Sequence, residues 1–205
     1  VEADEQQVNL TRFSLFFPEK RDFFLENQGT FSFGGVPTGG AFAGQGDAPI
    51  LFYSRRIGLE GGAAVPIVGG GRLTGRVGRF TLGALSIQSG DDDAIGARGA
   101  NFSVLRVKRD ILRKSSVGAM ATRRSTALGG IGANDAYGVD ATLGFFANLF
   151  VYGYWARTRT DGVHDDDTSY RVQLDYPGDR FAVQAERLSV GDHFNPEVGF
   201  VRRDD

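Results

Sequence analysis

Short and long gaps alternate between the strand-like segments of this 205-residue chain, and that alternation restricts its fold more than any other feature. Period-two patterning marks strands near 71–77, 80–88, 100–109, 115–124, 136–146, 148–159, 168–176 and 180–189. Gly78-Arg79 is the first gap, and the acidic, glycine-bearing stretch from Ser89 to Gly99 is the next. Asp110 to Lys114 (short) and Ser125 to Asp135 (long) follow, then Ala147 alone before Thr160 to Asp167. Pro177-Gly178-Asp179 closes the series, with Val190 onward beyond it. An up-and-down sheet whose ends face different surroundings sorts its loops in this way, as membrane barrels do with tight turns at one end and longer loops at the other. A soluble sandwich has no reason to sort them by parity.

Composition is compatible with that reading. Hydrophobic residues make up 41% of the chain and no run of about 18 apolar residues exists, so no helix is available to cross a bilayer. Barrel strands need only about 9–11 residues each, with every second one apolar, so the mean hydropathy of -0.21 is no obstacle. The 30 glycines, against 6 prolines, argue against long helices and point to bends, bulges and close approaches within strands. Cysteine is absent, which removes disulfides and thiolate chemistry. The net charge of -2 makes no electrostatic case for nucleic acid. The chain starts at Val1 without a basic-then-apolar leader, and the expectation is a piece of a longer protein.

Individual strands show which residues share a face. Tyr137, Val139, Ala141, Leu143 and Phe145 alternate with Gly138, Asp140, Thr142 and Gly144. Tyr170, Val172, Leu174 and Tyr176 oppose Arg171, Gln173 and Asp175; Phe181, Val183 and Ala185 face away from Gln184 and Glu186. Val117, Ala119 and Ala121 oppose Ser116, Gly118 and Thr122. Residues 80–88 and 148–159 look apolar on both faces, and 100–109 switch phase around Arg106, as bulged or doubly packed strands would. In a barrel, Asp140, Arg171, Gln173, Asp175, Gln184 and Glu186 line a polar lumen; in a sandwich they meet bulk water. Rings cluster at short turns: Tyr176 and Phe181 around Pro177-Gly178-Asp179, and Phe145, Phe146 and Phe150 around Ala147. Such clusters suit a membrane–water girdle, although aromatics are good strand residues anywhere.

The amino-terminal third is different. Charges in Pro18-Glu19-Lys20-Arg21-Asp22 lie between Phe16-Phe17 and Phe23-Phe24, with Leu25-Glu26-Asn27 after them. A glycine-rich loop follows from Gly34 to Pro49, then an expected short strand at 51–58. Buried charges persist only when paired. The sequence therefore predicts a charge cluster of Glu19, Lys20, Arg21 and Glu26, with Asp22, against Arg55 and Arg56. It would hold residues 1–50 as a lumen or rim segment against meandering strands in 51–205.

Three stretches here carry a resemblance. They are Asn9-Leu10-Thr11-Arg12-Phe13, Leu15-Phe16-Phe17-Pro18-Glu19-Lys20-Arg21 through Phe23-Phe24-Leu25-Glu26, and Phe52-Tyr53-Ser54-Arg55-Arg56-Ile57-Gly58. Pro66-Ile67 through Gly75-Arg76-Val77-Gly78 and Phe194-Asn195-Pro196-Glu197-Val198-Gly199-Phe200 add to them. Together they resemble a bacterial domain of unknown function that follows a family-nine-like carbohydrate-binding module. Asp22 departs from the pattern, standing where such domains often have proline. The resemblance implies a single partial domain over 1–205, the amino-terminal portion of an antiparallel up-and-down transmembrane β-barrel in the outer membrane of a Gram-negative bacterium. It also implies partners: outer-membrane lipid, further barrel strands and an upstream periplasmic module of the same protein, and a carbohydrate ligand. No catalytic residue comes with it.

Catalytic and binding motifs give nothing of comparable specificity. His164-Asp165 lacks a nucleophile at defined spacing unless Ser169 supplies one, and His193 lies near Asp192 and Asn195. Asp91-Asp92-Asp93 and Asp165-Asp166-Asp167 lack the spacing of a calcium loop. Gly69-Gly70-Gly71 lacks the phosphate-loop pattern and precedes a strand. No cofactor, metal or nucleic acid is expected. The sequence thus points to a non-enzymatic outer-membrane barrel for passage or capture of a solute. A secreted soluble β-rich glycan-binding domain and a barrel-borne hydrolase are the alternatives.

Overall fold

The computed structural model describes residues 19–36, 47–60, 63–94, 96–128, 132–163, 165–178 and 180–202. The motifs within 1–18, most of the glycine-rich loop and His164 lie outside the described residues. One helical turn, α1 (Asp22–Leu25), and two 3-10 turns (Gln28–Phe31 and Ser54–Arg56) precede the strands. A small pair, β1 (Leu59–Glu60) and β2 (Ala63–Ala64), follows. Then come β3 (Ile67–Val77), β4 (Phe80–Ser89), β5 (Asn101–Leu112), β6 (Ser115–Arg124), β7 (Asn134–Phe145), β8 (Leu149–Thr160), β9 (Thr168–Pro177) and β10 (Ala182–Val190).

Strands β3 to β10 form one antiparallel sheet in chain order, each paired with its sequence neighbours. The expected meander is there, with the short turns at one end and the longer loops at the other. Gly78-Arg79 is a tight turn at which Gly78 takes φ +59°, a conformation that glycine adopts freely. The sheet is open. β3 and β10 have no partner on their outer edges among the described residues, and the eight strands do not close on themselves.

Register gives the sheet two distinct faces. On the first, Leu73, Phe80, Leu82, Leu105, Val107, Val117, Ala119, Tyr137, Val139, Val151, Trp155, Val172, Leu174 and Val183 align strand to strand. Nothing among the described residues packs over them: Leu73 is 74% exposed, Leu105 56% and Val139 55%. Toward the long-loop end this open face turns polar, through Ser86, Gln88, Ser103, Arg123, Asp135, Arg157 and Arg159.

The second face is covered. Near the long-loop end Leu85, Ile87, Phe102, Val104, Met120, Tyr154 and Ala156 pack against Phe24, Phe31, Phe33, Leu51, Phe52, Ile57, Phe194 and Val198. Toward the short turns it becomes polar, with Arg76, Lys108, Asp140, Thr142, Gln173, Asp175, Gln184 and Glu186. The apolar zones of the two faces thus sit at different heights.

That offset corrects one reading. β5 keeps strict alternation past Arg106, with Phe102, Val104, Arg106 and Lys108 covered and Ser103, Leu105, Val107 and Arg109 open. The sequence looked as if it changed phase because the apolar residues move from the covered to the open face along the strand. The irregularity lies further on, between Asp110 and Leu112. β8 is apolar on both faces because its covered side receives the amino-terminal segment.

A second correction concerns 51–58, which is not a strand. Ile50 bridges Phe200, and the chain then curls into the 3-10 turn at Ser54–Arg56. The carbonyls of Ser54 and Ile57 accept hydrogen bonds from Arg21 (2.8 and 2.7 Å), not from a strand neighbour. Asp22 opens α1, a first-turn position that also suits proline, so its departure from the resembled pattern is compatible with the local backbone.

Candidate functional site

The covered face is the candidate site, because the amino-terminal segment crosses it from one edge toward the other. Over β3, the Asn27 side chain reaches Thr74, and Arg72 donates to the carbonyls of Phe23 and Glu26 and to the Glu26 carboxylate. Over β4, the Phe31 ring and the Thr30 methyl fill the space that a side chain at Gly83 would need. The Phe33 ring then lies 5.5 Å from the Tyr154 ring, centroid to centroid, and the same distance from the Arg106 guanidinium carbon. Gly34 donates its N–H to Asp140 Oδ2 (3.1 Å).

Arg106 and Asp140 lie beneath this strap. Two hydrogen bonds join them, Nη1 to Oδ1 at 2.5 Å and Nη2 to Oδ2 at 2.9 Å. Arg106 is only 2% exposed. The fork-on-fork geometry suits a guanidinium and a carboxylate taken out of water together. Gly118 on β6, which would carry its side chain 2.6 Å from Arg106 Nη1, leaves room for the pair. Sequence reading placed Asp140 on this face without a partner. The glycines aligned beside it were the available signal.

The predicted charge cluster forms differently. Glu19 binds Arg21 through two oxygens (2.9 and 2.8 Å) and accepts the backbone N–H groups of Lys20 and Arg21. Burial pushes the Glu19 carboxyl up, but these bonds, with one from Ser54, outweigh it and hold the pKa at about 2. Arg21 carries the link onward to the 54–57 turn through backbone carbonyls. Glu26 pairs with Arg72 of β3 and not with Arg55 or Arg56, because α1 points it toward the sheet edge. Lys20 is exposed, and Arg56 Nε donates to the Gly199 carbonyl (3.0 Å). Burial lowers the Arg56 pKa.

At the long-loop end a second network braces the cover. Arg124 Nη2 donates to Glu60 (2.8 Å), and Arg124 also approaches Glu197 (3.8 Å). Glu197 accepts the Leu128 N–H (2.8 Å) and donates its own N–H to Asn134 Oδ1 (3.0 Å). Burial pushes the Glu197 carboxyl above its ordinary value. The 194–200 motif is thus a clamp over the loops. The sequence displayed this as buried-type residues at Phe194, Pro196 and Val198 around one acid.

The residues considered for catalysis do not converge. His193 Nδ1 lies 3.0 Å from the Asp165 carbonyl. Ser169 is fully buried between Tyr154 Oη and the Ser189 carbonyl, each at 3.0 Å. Asp91 and Asp92 accept the N–H groups of Gly99 and Ala94, Asp166 accepts that of Asp192, and Asp167 binds Arg157. No group of three potential metal ligands gathers among the described residues. What the face offers is a polar wall, including the chain of Glu186, Arg171, Gln173 and Asp175 across β9 and β10.

No family model, curated protein or solved structure matches the chain. The class that the fold defines is an all-β protein built on an open, eight-stranded antiparallel meander.

Proposed function

We propose that these eight strands are part of a transmembrane β-barrel in a bacterial outer membrane, non-enzymatic, acting in passage or capture of a solute. The open face meets lipid tails, and the covered face lines a polar lumen that residues 19–36 cross. Strands elsewhere in the protein complete the wall along β3 and β10, since a bilayer tolerates no unpaired edge.

The observation that carries the reading is the exposed apolar band of the open face, which runs over the eight strands with Arg109 and Arg187 interrupting it and turns polar only toward the long-loop end, while the covered face carries its charges toward the short turns. A soluble sheet arranges its faces the other way. On β7 the band runs from Tyr137 to Phe145, eight steps, or about 26 Å along the strand at ~3.3 Å per residue, which at a barrel strand's tilt of about 35–45° spans roughly 19–22 Å of height. Outer-membrane barrels carry a band about 25 Å tall. Strand lengths of 9 to 12 residues agree. Tyr137, Trp155 and Tyr170 ring one border of the band, and Phe145, Phe146, Tyr176 and Phe181 the other.

Carbohydrate is the solute class we assign. Its support is the resemblance of the amino-terminal motifs to domains that follow a carbohydrate-binding module, an argument from association. Cell fractionation and detergent gels test the barrel. The full-length protein should partition with outer membranes and migrate faster unheated than boiled. A full-length protein soluble without detergent would overturn the reading. Proteoliposomes should then swell in small sugars.

A further inference from the structure

We propose that the short-turn end of the covered face is a binding site for anionic solutes, in particular sugars bearing phosphate, sulfate or carboxylate. A cavity of about 740 Å³ opens there, lined by Arg76, Arg79, Lys108, Arg113 and Lys114, with Asp110 as its one carboxylate. The cavity belongs to the covered side of the sheet. Arg76, Lys108, Ser116 and Thr142 project from that face in register.

Asp110 is already committed to Arg76, at 2.6 Å. Arg79, Lys108, Arg113 and Lys114 have no carboxylate partner among the described residues, so the cavity keeps an excess of four positive charges. Lys114 is held in place by its hydrogen bond to the Ala147 carbonyl (3.0 Å) and by the Phe150 ring beneath its ammonium. The remaining acids of this face are accounted for: Asp140 binds Arg106, and Asp175 and Glu186 are held by Gln173 and Arg171 on the far strands. Ser116 and Thr142 add hydroxyls.

The excess is local. The chain as a whole is at -2, and its acidic loops, Asp91-Asp92-Asp93 and Asp165-Asp166-Asp167, lie at the opposite end. A cleft of one sign with low-dielectric walls concentrates oppositely charged solutes. Several spaced cations fit a compact, multiply charged group better than a neutral sugar. A lipid headgroup is the other source of phosphate, but its tails lie along the open face, where Arg109 over Phe80 is the cation placed for it. The cavity opens on the covered side, so we assign it to a free solute. That this solute is in transit rests on the barrel reading; the site itself rests on the cavity.

Calorimetry on full-length protein in detergent, with glucose 6-phosphate and glucose as probes, tests the proposal. Glucose 6-phosphate should bind at least about tenfold tighter than glucose, and added KCl should weaken it. The exposed pair Arg79→Glu and Arg113→Glu should weaken it about tenfold or more, with Arg79→Gln and Arg113→Gln between. Equal affinity for the two sugars, or an unchanged double variant, would overturn the site. Displacement of the sugar phosphate by phosphatidylglycerol would overturn its assignment to solutes. Binding without sugar-dependent swelling would remove the passage reading and leave the site standing.

Discussion

Arg106 is the residue on which the covered face turns. Its guanidinium lies beneath Phe33, both terminal nitrogens go to Asp140, and its Nε has no partner among the described residues. Removing one member of a buried pair leaves an uncompensated charge, which costs about 3–5 kcal/mol, whereas replacing both by apolar groups is often nearly neutral. Asp140→Ala should therefore lower unfolding stability in detergent by about that amount, and Arg106→Met with Asp140→Leu should recover most of it. A double replacement as costly as the single one would show that the pair is not the element that matters. Glu19 gives a pH prediction. Its carboxyl is held at about 2 against the ordinary 4.5, so its contribution to stability is fully present above 4.5 and lost as pH falls toward 2. Protease nicking of the strap in wild type should rise across that window, and Glu19→Gln should nick readily and flatten the dependence.

At the scale of elements, strand positions and faces were readable because period two is set by backbone geometry alone. Each of the four cleanest strands has the faces its pattern indicates. β5 misled because two apolar zones at different heights read as a slipped phase. The 51–58 turn misled because Leu51 and Ile57 are buried by neighbours distant in sequence, a relation that local alternation does not encode. Of the charge cluster, the proximity of Glu19 and Arg21 to the 54–57 segment was legible, but not that they pair with each other and that Arg21 reaches backbone carbonyls, nor that Glu26 goes to Arg72. The strap itself depends on glycine. A side chain at Gly138 would come 2.6 Å from the Trp155 carbonyl and 2.8 Å from the Phe33 ring. Gly138→Val should displace Phe33 and destabilise the protein by about 1–3 kcal/mol. Limited proteolysis should then cut within 19–36 while β3 to β10 stay resistant. Resistance equal to wild type would mean that the strap is not seated on that glycine.

At the scale of the whole molecule, the proposed barrel has one face of the meander solvated by hydrocarbon and the other by enclosed water. These 205 residues hold no cysteine, so a thiol introduced among them can be labelled alone once any cysteine elsewhere in the protein is replaced by serine. Single cysteines at Tyr137, Val139, Ala141 and Leu143, and at Thr142 and Gln184 as covered-face counterparts, can be spin-labelled in reconstituted full-length protein. Collision with oxygen, which concentrates in lipid, and with a water-soluble nickel chelate is then measured at each site. High oxygen and low nickel accessibility are expected at 137, 139, 141 and 143, with that preference lost at 142 and 184. Nickel accessibility as high at the open-face positions as at the exposed loops would place that face in water and contradict it.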